Sequence, residues 1–257
     1  MLDLSKPWPL GLAEKRWWIS VLAALALLVL AVAFDHQISE WATSLPEQMR
    51  DVLAQFTPYG ESGWILYPAA ALLAVTVPLA LLVRWKLMRL ILWEFAALYG
   101  FILLGVGLPS LVSTLVKRLI GRGRPEHFDA VGTLSFRWNI DDWSYQSFPS
   151  GHATTAFALA VVIGVLAPRW FLLAVAFAAA IALSRITLGV HYPSDVVGGI
   201  LLGLIGAYAV RVFFAQRRWL FEFTLRGTIR QRPMSALRRY LSLRRRRSAR
   251  GLPSGRP

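Results

Sequence analysis

An all-helical bundle of six membrane-spanning segments is the fold this sequence predicts, on three observations. Of 257 residues, 56% are hydrophobic. The apolar residues gather into stretches close to the roughly 20 residues that cross a bilayer core as helix. The formal net charge of +14 falls mainly in short breaks between those stretches and in the tail. A soluble domain seldom combines such hydrophobicity with such charge, whereas membrane embedding with a basic appendage accounts for both. Cysteine is absent, which excludes disulfides and thiolate-bound metal and leaves the redox compartment open.

The first stretch runs from Trp17 to Phe34, behind Lys15 and Arg16. Its end, Ala31-Val32-Ala33, also resembles a secretory cleavage site, but the run is long enough to anchor. Asp35 to Gly63 is acidic, with Asp35, Glu40, Glu47, Asp51 and Glu61 against Arg50. Within it Ile38, Trp41, Leu45, Met49, Val52, Leu53 and Phe56 fall partly at helical spacing, which predicts an amphipathic surface helix. Trp64 to Val83 and Leu90 to Thr114 are the second and third spans. The apolar run from Ala153 to Leu183 is too long for one crossing, and Pro168-Arg169 breaks it. It therefore reads as two spans, Ser150 to Ala167 and Trp170 to Leu183. Val196 to Phe214 is the sixth. The predicted organisation is a cytoplasmic N-terminus (1–16), one membrane domain (17–215) and a basic cytoplasmic tail (216–257). That tail reads as partly disordered, its last stretch from Arg238 to Pro257 being disordered or weakly helical.

Lys15, Arg16, Arg84, Lys86, Arg89, Arg169 and the tail all fall on one side of six spans, which places both termini in the cytoplasm. Lys117, Arg118, Arg122, Arg124 and Arg137 break that bias on the opposite side, and binding an anion is the reason they suggest.

Three clusters carry the chemistry, all at outer helix ends. In Lys117-Arg118-Leu119-Ile120-Gly121-Arg122-Gly123-Arg124-Pro125, Lys supplies a point charge and Arg a fork of donors matched to phosphate oxygens. Snorkelling toward headgroups is the plainer reading of the same cations. In Ser147-Phe148-Pro149-Ser150-Gly151-His152, Ser150 stands at a helix N-cap, where it either caps the helix or helps bind an anion, and His152 lies within a turn of it. From Ser184-Arg185 to His191 and Asp195, a carboxylate four residues from an imidazole can fix its tautomer and raise its basicity, as a nucleophile requires. Asp195 also reads as a helix cap, and Arg185 as its ion-pair partner. Phe136, Trp138, Trp143, Tyr145 and Phe148 form an interface belt. Glu126, His127, Asp129, Asp141 and Asp142 beside them match no metal-ligand spacing, so no metal site is expected.

Lys117 to Arg124-Pro125, Pro149-Ser150-Gly151-His152 and Ser184-Arg185 to His191 and Asp195 together resemble the three-part signature of the type 2 phosphatidic acid phosphatase family. The resemblance implies an integral membrane lipid phosphatase without cofactors. In it His191 would attack phosphorus, Asp195 orient it and His152 protonate the leaving oxygen, while Lys117, Arg124, Ser150, Gly151 and Arg185 hold the phosphoryl group. Undecaprenyl diphosphate is the first substrate it suggests. Phosphatidic acid, phosphatidylglycerol phosphate and lipid A phosphates remain open, as does phosphotransfer to a lipid acceptor. Vanadium-dependent haloperoxidases share the pattern but resemble soluble proteins. A non-catalytic lipid-binding or transport protein is the reading from another class, and the intact His152, His191 and Asp195 weigh against it. The expected setting is a bacterial inner membrane with the site facing the periplasm or exterior. The expected partners are a phosphorylated lipid at the site and anionic inner-leaflet lipid at the tail, with no nucleic acid.

Overall fold

The computed structural model describes residues 4–10, 12, 14–138 and 141–249. In chain order it forms α1 (Trp17–Ala33), α2 (Asp35–Thr43), α3 (Glu47–Ala54), α4 (Gly63–Leu82), α5 (Lys86–Ile120), a single turn α6 (Phe128–Val131), α7 (Gly151–Leu166), α8 (Phe171–Thr187) and α9 (Pro193–Arg217). After these come a hairpin, β1 (Phe221–Phe223) and β2 (Ile229–Gln231), and then α10 (Ser235–Ala249).

All six predicted apolar stretches are helical, but they are unequal. Among the described residues α4, α5, α9 and the helix Pro168–Thr187, which contains α8, are long and apolar enough to cross a membrane. A fifth span arises if α1 and α2, bent by 59° at Phe34, are taken as one. Four or five spans thus stand where six were expected. The remaining helix, α7, has 16 residues and is about 24 Å long, short of the roughly 30 Å of a bilayer core. Eleven of those residues are buried, because α7 is the central helix, packed against α5, α8 and α9. Its length is therefore set more by protein neighbours than by lipid.

Glycine makes that packing close. A Cβ at Gly199 of α9 would lie 2.5 Å from the Ser150 carbonyl oxygen, and one at Gly203 would run into the carbonyl of Thr154. Backbones approach where small residues recur a turn apart. Gly203→Val is expected to destabilise the fold by about 1–3 kcal/mol through overpacking, visible as a lowered melting temperature in detergent.

At one end of the bundle α5 continues beyond the predicted span and carries Lys117 outward. The predicted amphipathic segment there is two helices, α2 and α3, divided at Pro46, which precedes α3 as its N-cap and has no N–H to continue a helix.

The other end departs most from expectation. The segment predicted as a separate tail is built onto the core: Leu220, Phe221 and Ile229 are buried with it, and the Phe221 ring lies 4.7 Å from that of Phe101. The short antiparallel hairpin pairs Phe221 with Gln231 and Phe223 with Ile229. It is tied to the N-terminal segment by the Ile229 N–H, which donates to the Ser5 carbonyl at 2.7 Å. Arg211 donates to the carbonyls of Ile229 at 2.8 Å and Lys6 at 3.2 Å. The few apolar residues interleaved among arginines decide the packing, and a reading of net charge overlooks them. The helix α10 occupies part of the stretch expected to be disordered or weakly helical; residues 250–257 lie outside the described residues.

Candidate active site

Local structure brings the three clusters to one end. Lys117 lies one turn from the end of α5, where Gly121 (φ 64°) donates its N–H to the Lys117 carbonyl at 3.1 Å. A Cβ at Gly121 would collide with the Arg137 carbonyl, so both the left-handed cap and the space require glycine. Arg124 is held from one side: its N–H donates to Ser144 O at 2.9 Å and its Nε to Trp143 O at 3.1 Å, with the guanidinium 4.6 Å from the Trp143 ring centroid. Ser150 is the N-cap of α7, and Gly151 and His152 form its first turn. A Cβ on Gly151 would sit 3.1 Å from Lys117 Nζ; the bare glycine lets that ammonium reach the start of α7. Arg185 lies in the last turn of α8, and its carbonyl accepts the N–H groups of Val190 and His191, both at 3.2 Å. His191 occupies the following loop. Asp195 is the third residue of α9, behind Pro193 in the first helical position, where proline needs no hydrogen-bond partner.

The arrangement is positively charged and incompletely satisfied. Lys117 feels the charges of Arg124 and Arg185, and His152 those of all three. Among the described residues none of these three cations is in an ion pair. The Ser150 hydroxyl makes no cap bond, and it and Arg185 Nε are buried with no hydrogen-bond partner. Buried polar groups seldom stay unpaired. Three unneutralised cations with open donors form a seat for a tetrahedral oxyanion.

Beside this seat a hydrogen-bonded network surrounds Asp195. His191 Nδ1 lies 3.5 Å from Asp195 Oδ2, a long contact of the kind that tightens when substrate binds. Asp195 Oδ2 also accepts from the Ser147 hydroxyl at 2.5 Å and from Tyr192 N at 2.8 Å. Its Oδ1 accepts from Arg122 Nη1 at 2.6 Å. Arg122 reaches in turn Ser194 Oγ at 2.6 Å, the Thr133 carbonyl and, through Nη2, Asp35 Oδ2 at 2.7 Å. Asp35 accepts from both the backbone and the hydroxyl of Ser194. Arg122 is the cation of its loop that these carboxylates neutralise.

Burial lowers the His191 pKa to about 4, only partly opposed by Asp195. The ring is therefore neutral at pH 7, and with its Nδ1 proton turned to the carboxylate the Nε2 lone pair is open for attack. The shift also affects stability. As pH falls below about 6.5, the usual histidine value, the unfolded chain takes up a proton that the folded one refuses until about pH 4. Stability is thus expected to fall between about pH 6.5 and 4, and to be insensitive to this group above that window. Melting curves across the window should slope less for His191→Gln than for wild type.

His152 is backed by the turn Thr57–Gly60, which follows α3. A Cβ at Gly60 would lie 2.6 Å from His152 Cδ2 and 2.8 Å from Ile181 Cγ2, and Thr57 Oγ1 meets Ser184 Oγ at 2.7 Å. Gly60→Val is expected to push the imidazole aside and slow turnover by about hundredfold, since a displacement of about 1 Å costs that much. Turnover near the wild-type rate would mean that the ring tolerates the shift.

Lys117, Arg124, Ser150, Gly151, His152, Arg185, His191 and Asp195 therefore lie on adjoining helix ends. One pairing differs from expectation: the ion-pair partner of Asp195 is Arg122 and not Arg185. Ser150 takes the N-cap position without a side-chain cap bond, whereas Asp195 does accept the Tyr192 N–H at the start of α9. Reading the sequence missed Asp35, Ser147 and Ser194 and left Arg122 as one of several outward cations. Asp35 gave a faint signal, an acid directly abutting the apolar run of α1. Among the described residues no three His, Asp or Glu side chains gather as metal ligands.

Residues 95–219 match the PAP2 superfamily model. The chain is 29% identical to a lipid A 1-phosphatase of Rhizobium johnstonii over 223 residues, covering 84% of this chain and 88% of that one. It is 42% identical to decaprenylphosphoryl-5-phosphoribose phosphatase of Mycobacterium tuberculosis over 99 residues, 38% of this chain and 51% of that one. In fold it is similar to a transmembrane PAP2-type phosphatidylglycerolphosphate phosphatase from Bacillus subtilis, with a TM-score of 0.50, 23% identity, and coverage of 76% of this chain and 96% of the other.

Proposed function

Because the chain belongs to the PAP2 superfamily of membrane phosphatases, a hydrolase of phosphate esters, we propose that it dephosphorylates a membrane lipid through a phosphohistidine on His191. The observation that carries this reading is the unneutralised cluster of Lys117, Arg124 and Arg185, with the open donors of Ser150 and Arg185, beside a buried neutral His191 backed by Asp195.

The phosphoryl oxygens take the three cations and the start of α7, which stabilise charge in the transition state without reorganising. His191 Nε2 attacks phosphorus and the bond to the lipid oxygen breaks. His152, protonated once the anionic phosphate sits among the cations, gives that oxygen its proton, and Asp195 steadies the imidazolium. Water then attacks the phosphohistidine, loses its proton to His152 and releases phosphate. Arg122, Asp35, Ser147 and Ser194 hold Asp195 in register and touch no substrate.

For substrate, a lipid A 1-phosphate comes first, because similarity to the rhizobial enzyme runs over most of both chains. Undecaprenyl diphosphate, the first suggestion of the sequence, is its competitor. In this reading α7 completes a set of six crossings, both termini are cytoplasmic, the site faces outward from a bacterial inner membrane, and the arginines of the tail meet anionic inner-leaflet lipid.

Purified protein should release phosphate from lipid A in the presence of EDTA, faster than from undecaprenyl diphosphate, phosphatidic acid or phosphatidylglycerol phosphate. A faster rate on undecaprenyl diphosphate would reverse the substrate order, and dependence on a second lipid would mean transfer instead of hydrolysis. His152→Ala is expected to cost about 100- to 10,000-fold on monoesters with poor leaving groups and much less on p-nitrophenyl phosphate. Equal losses on both would remove the general-acid role.

A further inference from the structure

At the end of the bundle away from His191, α4, α5, α9 and the segment before α10 enclose a cavity of about 660 Å³. Its wall is apolar, with Val77, Leu90, Ala97, Leu104, Phe214 and Met234 among the lining residues. Leu90 and Leu104 are fourteen residues apart on one helix, so the cavity extends about 21 Å along α5, enough for the roughly 15 Å of one leaflet's hydrocarbon and the start of its headgroup layer. The lining helices are membrane-crossing by length and composition, which gives the cavity a lipid environment. Asp195 and Phe214 lie about 29 Å apart along α9, so this is not the catalytic seat.

The polar residues of the cavity are unevenly charged. Arg218 and Arg232 line it, and they share Glu222 with Arg230, at 3.9, 3.7 and 2.7 Å. Three guanidinium groups thus crowd one carboxylate. The acid among the lining residues, Glu94, is engaged, accepting the N–H groups of Ala236 at 2.9 Å and Leu237 at 3.2 Å. It caps α10 and pins the segment from Pro233 to Ala236 as one wall. What remains is a leaflet-length apolar slot beneath an excess of arginine.

We propose that this cavity binds one anionic glycerophospholipid, with an acyl chain along α5 and its phosphate at Arg218 and Arg232. The proposal narrows the diffuse lipid contact of the tail, given above, to a single site. Its chemistry is independent of phosphate release.

The full-length protein, reconstituted in phosphatidylcholine nanodiscs, would be irradiated with phosphatidylglycerol carrying a diazirine midway along one acyl chain. Labelled peptides are expected to cluster in residues 90–104 and around Phe214, and unlabelled phosphatidylglycerol should compete where phosphatidylcholine does not. Near-surface cations contribute about fivefold each to binding an anionic lipid, so R218Q/R232Q should require about 30-fold more probe. Ala97→Trp, which fills the slot, should abolish the cluster, and Leu90→Trp should do the same if Ala97→Trp fails to fold. Both should keep wild-type hydrolysis of p-nitrophenyl phosphate. Labelling spread evenly over the lipid-facing helices, equal competition by phosphatidylcholine, or a cluster unchanged by the tryptophans would overturn the site. Because labelling needs no turnover, a catalytically inert protein would still decide the question.

Discussion

His191→Ala is expected to lower phosphate release by about four orders of magnitude or more, the scale seen when a nucleophile is removed from a preorganised site. Membrane insertion should be unaffected. The side chain is buried and, among the described residues, makes only the long contact to Asp195, so its loss opens a small cavity without stranding a charge, since Arg122 still neutralises that carboxylate. Binding of a non-reactive phosphate analogue should persist, because Lys117, Arg124, Arg185 and Ser150 are intact. This separation of binding from turnover is the signature to look for. If rate and affinity fell together, His191 would be acting in phosphate binding and not as the attacking group.

The second large effect is expected at a residue that touches no substrate. Arg122→Gln removes the guanidinium that spans Asp35 and Asp195, leaving two buried carboxylates without their arginine partner. Breaking a buried pair from one side typically costs about 3–5 kcal/mol, so a drop in melting temperature should accompany the loss of rate. The rate itself should fall by about hundredfold as Asp195 loses its register. Arg122→Lys should not rescue either property, because an ammonium lacks the planar fork that meets Ser194, Asp195, Asp35 and the Thr133 carbonyl together. Asp35→Asn is the milder probe, since Arg122 keeps its bond to Asp195. A rate loss there with KM unchanged would mark positioning, and a change in stability alone would mark a structural strut.

These two residues show where the sequence was legible and where it was not. His191 and Asp195 are four residues apart across the start of α9, so chain proximity alone brings them together. Likewise the cations near Lys117 stand out by violating the charge bias of membrane loops. Asp35 carries no such mark. It lies 87 residues from Arg122 and 159 from Ser194, and a pairing across that separation is decided by tertiary packing. The helices were legible for a similar reason: apolar length is a local property. The bounds of α7 were legible too, as Ser150 to Ala167, but its place at the buried centre of the bundle was not, since tertiary packing decides that. The arginine-rich segment misled because composition outweighed the placement of Leu220, Phe221 and Ile229, which anchor it to the core.

Rapid quenching would trap the proposed phosphohistidine on His191. Enzyme mixed with lipid A, or with p-nitrophenyl phosphate, would be stopped in alkali within a turnover and digested, and the peptides analysed by mass spectrometry. An acid-labile phosphate is expected on the peptide containing His191, formed and consumed at the rate of turnover. Steady turnover with no phosphate on that peptide, or with the label on His152, would contradict that intermediate.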